Sequence, residues 1–219
     1  MFRFPAIVFA TLLATGLAVA APLDGEKTYD MLFRDGTLDE IDRTSALVYR
    51  REVTNALKPE AGARDTGDVT LSFREGDKDI AMLKFWQDDK HRALGAFPAS
   101  VGNPMIMYFY ETVVRDMAEA AGGSPFYIRN RVKDALIQPS DIVEGEAVVD
   151  GKTVPTRTIH MYPFADDPNS ARMQGFGDLE LRVTMSDAVP GWYMSLVAEA
   201  SEGAVYRSEV SFQRLDEAQ

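Results

Sequence analysis

Apolar and polar residues alternate with period two along most of this chain, and the period changes once, between Asn103 and Ile137. In that stretch Ile106, Phe109, Tyr110, Val113, Val114, Met117 and Ala121 recur at helical spacing. Asn103 and Pro104 form a helix-start signal, and Gly122-Gly123 a helix stop. Ser124-Pro125 repeats the start, Ile128, Val132, Ala135 and Leu136 follow at helical spacing, and Pro139 closes the run. The pattern predicts two helices joined by a glycine turn.

Strand patterns flank this pair. Thr44–Thr54 places Leu47, Tyr49 and Val53 on one side, and Val69, Leu71 and Phe73 alternate with Thr70, Ser72 and Arg74. Ile80–Trp86 is apolar on both faces, which predicts a strand covered on two sides. Arg92–Phe97 predicts a fourth strand. After the helices, Asp150-Gly151 marks a hairpin between 147–149 and 152–162, with Pro155 pushing the second strand to an edge or bulge. Leu179–Met185, Trp192–Glu199 and Tyr206–Gln213 complete the set. Asp24–Phe33 reads as a short helix and Pro59–Asp68 as a polar surface loop. Short turns make the pairing antiparallel and sequential. The expected class is α+β: a curved antiparallel sheet of about nine strands, a half-barrel, with the helical pair packed on its concave face.

Arg3, the apolar run Ala6–Ala18 and Ala18-Val19-Ala20 read as a secretory signal peptide over residues 1–20. Residues 21–219 then form the single expected domain, with the helical insertion at 103–138. The run falls short of the roughly 20 apolar residues of a membrane span, so no stable membrane insertion is expected after cleavage. A periplasmic destination is expected, and an extracellular one is equally compatible. Removing residues 1–20, which hold one arginine and no acid, takes the formal charge from −11 to −12. Such a surface disfavours nucleic acid. The chain has no cysteine, which excludes disulfides, thiolate catalysis and cysteine metal sites.

Candidate chemistry is sparse. Met105, Ile106, Met107, Tyr108, Phe109 and Tyr110 leave the first turns of the long helix without a polar face. They are either buried core or an apolar lid over a ligand. Arg129, Asn130 and Arg131 cluster beside Tyr127, where arginines could hold an anionic headgroup or simply pair with surface acids. His91 sits in a predicted turn, and His160 on a strand between Ile159 and Met161. No G-x-S-x-G elbow accompanies them. Asp166, Asp167 and Asn169 lack the spacing of a calcium loop, and Asp65 and Asp68 are weaker still. No cofactor, metal site or catalytic residue is expected.

The order of elements, strands interrupted by a helical insertion in a secreted chain, resembles the LolA/LolB-like superfamily of periplasmic half-barrels. The phrases Phe97–Pro104 and Gly122–Arg131 look like those of uncharacterised proteobacterial envelope proteins. The resemblance implies an apolar cavity beneath the helices. The reading that follows is a non-enzymatic binding module for an apolar or amphiphilic, lipid-like ligand. Its ligand-facing residues are Met105, Ile106, Phe109 and Tyr110, with Arg129 and Arg131 at the mouth. The alternative is a structural or protein-interaction component of the cell envelope with a filled core and a protein partner the sequence does not name. A hydrolase using His160 is the minor alternative. A connected apolar void of about 300 Å³ or more beneath the helices would favour the ligand; a filled core would favour the alternative.

Overall fold

A computed structural model describes residues 24–149 and 151–216. The signal-peptide reading of residues 1–20 lies outside them. Helix α1 (Gly25–Leu32) opens the described chain, its start closed by Asp24, whose side chain accepts from the Lys27 N–H at 2.9 Å. Strand β1 (Ala46–Asn55), helix α2 (Pro59–Asp65) and strands β2 (Gly67–Arg74), β3 (Asp77–Gln87) and β4 (Lys90–Pro98) follow. Then come the helices α3 (Met105–Ala121) and α4 (Pro125–Leu136). Strands β5 (Ile142–Val149), β6 (Lys152–Met161), β7 (Glu180–Met185), β8 (Tyr193–Ala200) and β9 (Tyr206–Asp216) complete the chain.

Among the described residues the strands form one open, curved antiparallel sheet in the order β4-β3-β2-β1-β9-β8-β7-β6-β5. The expected class, strand number and helical pair are all present. Each half of the chain is a meander made by short turns. The halves join where the first and last strands pair, from Ala46 opposite Asp216 to Asn55 opposite Tyr206. A bulge between Val48 and Tyr49 bends this central seam.

The sheet buries one face. Leu47, Tyr49, Val69, Leu71, Leu83, Leu181, Val183, Leu196 and Tyr206 are fully buried there, and α3 covers them with Met105, Phe109 and Val113. Burial of this apolar area, at ~25 cal/mol per Å², is the main force holding helices to sheet. Asn103 locks the helix entrance: its Oδ1 accepts from the Met105 N–H at 3.0 Å, and its Nδ2 donates to Tyr49 and to the Gly191 carbonyl. Gly102 is required before it. Its φ is +90°, and a Cβ there would lie 2.5 Å from the Arg34 carbonyl oxygen.

Three sequence expectations change. Ile80–Trp86 is not covered on two sides: Ala81, Leu83 and Phe85 are buried, whereas Ile80, Met82 and Trp86 on the other face are only half-buried. Pro59–Asp68 is not a polar loop: Pro59 starts α2 at its first position, and Gly67 already belongs to β2. Pro59 reads as a helix start as readily as a loop residue, and the buried Ala61 and Gly62 decide it. His91 lies in β4 rather than in a turn, with its ring 4.5 Å from that of Trp86.

Candidate functional site

The residues chosen for a cavity wall are core. Met105 and Phe109 are fully buried, Ile106 is 1% exposed and Tyr110 4%. Tyr110 packs on Phe33 and Phe109, with ring centroids at 6.4 and 5.4 Å, and among the described residues its hydroxyl has no hydrogen-bond partner. None of the described clefts is lined by these four side chains. One cleft of about 650 Å³ lies between the Arg34–Ile41 segment and the Ser186–Trp192 turn. The side chains that the resemblance would place on a cavity wall are packed into the buried core in this conformation.

The arginines of α4 both have acidic partners. Arg129 makes a bidentate pair with Glu111 at 2.7 and 2.8 Å. Arg131 lies 2.9 Å from the fully buried side chain of Asp167, which also accepts from the Tyr127 hydroxyl at 2.6 Å. That placement explains the acidic loop. Asp167 ties 162–169 to α4, and among the described residues no group of three histidine, aspartate or glutamate side chains is placed to hold a metal.

His160 stands on the outer face of the sheet with its Nδ1 2.7 Å from Glu180. Glu180 also accepts from Tyr162 at 2.8 Å and pairs with Arg182. Burial alone would push the Glu180 carboxyl up, but these donors outweigh it and hold it below the usual range. Ser140 lines the same 470 Å³ cleft as His160, but its hydroxyl donates to the Gln138 carbonyl. Among the described residues the hydrogen bonds of the two side chains do not join them, so the geometry gives His160 an orienting acid and no nucleophile.

The site-like chemistry lies where the sequence reading passed over it. Arg51 is fully buried on the inner face of β1, in line with Leu47, Tyr49 and Val53. Its guanidinium meets Asp116 of α3 at 2.7 Å. Asp116 also accepts from Tyr206 at 2.9 Å and from Arg115 at 2.8 Å. The hydroxyl of Tyr108, two turns before Asp116, accepts from the Arg51 Nη1 at 3.4 Å. Burial drives the Tyr206 hydroxyl well above its ordinary value, so it remains a donor to Asp116. Arg115 continues the network to Asp65 at the end of α2, whose side chain is 2% exposed and also meets Arg64 at 2.7 Å and Arg92 at 3.4 Å. Burial raises the Asp65 carboxyl, and Arg64, Arg115 and Arg51 more than reverse this, so it stays below the usual range. One ion-pair network thus ties α3 to β1, α2 and β4, from the buried Arg51–Asp116 pair out to half-exposed arginines. The Arg51 Nε is buried, among the described residues without a hydrogen-bond partner.

Period two could have found Arg51, since it occupies the apolar face of β1. Tyr108, Thr112 and Asp116 recur at i, i+4, i+8, a polar stripe within the apolar helix. Neither signal says that the two stripes meet.

No protein-family model matches the chain. No curated protein matches it either. Among solved structures, the crystal structure of lipoprotein LppX of Mycobacterium tuberculosis is similar over 89% of this chain and 97% of that one, with 11% identity and a TM-score of 0.36. A likeness at that level says nothing of this chain's ligand. Among the described residues no helix is long and apolar enough to cross a membrane.

Proposed function

We propose that the chain is a non-enzymatic binding module of the cell envelope whose α3–α4 pair is a closed lid. An apolar or amphiphilic ligand would enter against Met105, Ile106, Phe109 and Tyr110 when the lid lifts. The observation supporting this is the buried Arg51–Asp116 pair between lid and sheet. A permanently fused core gains little from such a pair, since well-packed apolar residues in its place are often as stable or more so. A polar latch fixes one closed register and lets it be exchanged for another state. The buried methionines Met105, Met117, Met161 and Met185 suit such repacking, because the unbranched thioether chain adapts its shape.

A second reading rests on the absence of an open void among the described clefts: an interaction component of the envelope whose helices are permanent core. Native mass spectrometry separates the two. Protein purified from its host, and delipidated protein incubated with oleate, should each show a bound apolar species in at least part of the population. The Asp116→Ala variant, which breaks the latch and leaves Arg51 unpaired by it, should take up oleate faster. A chain that neither carries nor acquires any apolar compound, in wild-type and latch-free form alike, belongs to the second reading.

A further inference from the structure

The two rims of the open sheet are finished differently. Strand β4 is blunted in the ways that protect an edge: its register slips between Leu83 and Lys84 of β3, it carries Lys90 and Arg92, and it ends in Pro98. Strand β5 has none of these. It pairs with β6 in unbroken register from Ile142 opposite Ile159 to Val149 opposite Lys152, and it holds no proline, lysine or arginine. Its other side offers a row of backbone N–H and C=O groups. Val148 is 70% exposed and Val143 43%.

The β5–β6 hairpin also overhangs the sheet. Strand β7 pairs with β6 only from Arg157 to Met161, so residues 152–156 extend beyond it. The Ser186 hydroxyl donates to the Pro155 carbonyl at 2.7 Å and closes the base of the overhang. At that base lies a cleft of about 380 Å³ that Glu144, Glu146, Arg157 and Asp187 help to line. Glu144, Glu146 and Val148 share one strand face by alternation. Glu144 and Glu146 are exposed and, among the described residues, neither enters an ion pair. Arg157, in contrast, has Asp187 at 3.7 Å.

We propose that β5 is a docking edge for an extended segment of a protein partner that carries basic residues at alternate positions. The segment adds a tenth strand by main-chain hydrogen bonds. Alternate lysines or arginines fall opposite Glu144 and Glu146, one reaching into the cleft at the hairpin base, while apolar residues between them cover Val143. Opposite charges across a strand pair contribute, and like charges oppose. A basic segment suits this edge better than a second copy of the chain, whose antiparallel self-pairing about Gly145 sets Glu144 against Glu146. The inference is independent of the lid on the inner face.

The test is fluorescence anisotropy with a labelled seven-residue peptide of alternating lysine and valine, at low and high ionic strength, on the full chain. Binding should be saturable and weaken with salt. Glu144→Lys/Glu146→Lys should weaken it by roughly tenfold and should instead bind a glutamate–valine peptide. The same charge change at Glu75→Lys/Asp77→Lys, at the β2–β3 turn in the other half of the sheet, should leave affinity unchanged. Amide exchange should slow along β5 when the first peptide is bound. The proposal is overturned if the two double variants lose affinity equally, which marks mere attraction to an acidic protein. It is also overturned if protection falls outside β5, or if the free chain dimerises through this edge.

Discussion

The guanidinium–carboxylate pairs of α4 and those beneath α3 have the same chemistry and opposite consequences. Arg129 and Glu111 meet on a surface where water competes for every bond, and such a pair contributes ~0–1 kcal/mol. Arg51 and Asp116 meet buried between helix and sheet, where water does not reach them and Arg51 has Asp116 as its nearest carboxylate. Proximity in sequence marked Arg129 and Arg131 as a site, whereas burial makes the Arg51–Asp116 pair matter. A cluster is therefore worth what its surroundings exclude, not what it contains.

The sharpest way to break this contrast is Asp116→Ala, which leaves the Arg51 guanidinium buried without its carboxylate. Urea unfolding should show a loss of about 3–5 kcal/mol. An apolar pair in place of both charges, Arg51→Met/Asp116→Leu, should recover much of it. A loss no greater than for a surface pair would remove the distinction.

Asp65→Asn comes next. Its carboxylate is buried but its arginine partners are half-exposed, so a smaller loss of about 2 kcal/mol is expected near neutral pH. The sign with pH follows from the lowered carboxyl. Its stabilising contribution is complete above the unfolded value of about 3.9, and it drains away as pH falls through the lower folded value. Wild type and Asp65→Asn should thus converge in stability on acidification. Parallel curves between neutral and strongly acid pH would show that the arginines do not depend on this charge.

The smallest effect belongs to Arg129→Ala. It should cost under about 1 kcal/mol, and less as salt is added. A larger loss, insensitive to salt, would show that the α4 cluster is structural after all.

Much of the architecture was legible. The switch of period at Asn103, the glycine stop after Ala121 and the alternation of Leu179–Met185 each rest on local chemistry, and each element stands where that chemistry places it. Pro59 was ambiguous because proline opens helices and breaks them. The candidate site was far less legible. Met105, Ile106, Phe109 and Tyr110 satisfy a lid and a core equally by pattern, since apolar spacing records that a face is covered and not by what.

The chain by itself determined its ribbons, its helices and which face of each is greasy, because those follow from spacing within a few residues. Only the folded molecule decided that Arg51 of β1 would meet Asp116 of α3, sixty-five residues away, and that Arg131 would be taken up by Asp167. It also decided that β4 would be the blunted rim and β5 the open one. The reason is physical: an ion pair or a free edge exists only once the elements are packed, and a charge's worth depends on the dielectric around it.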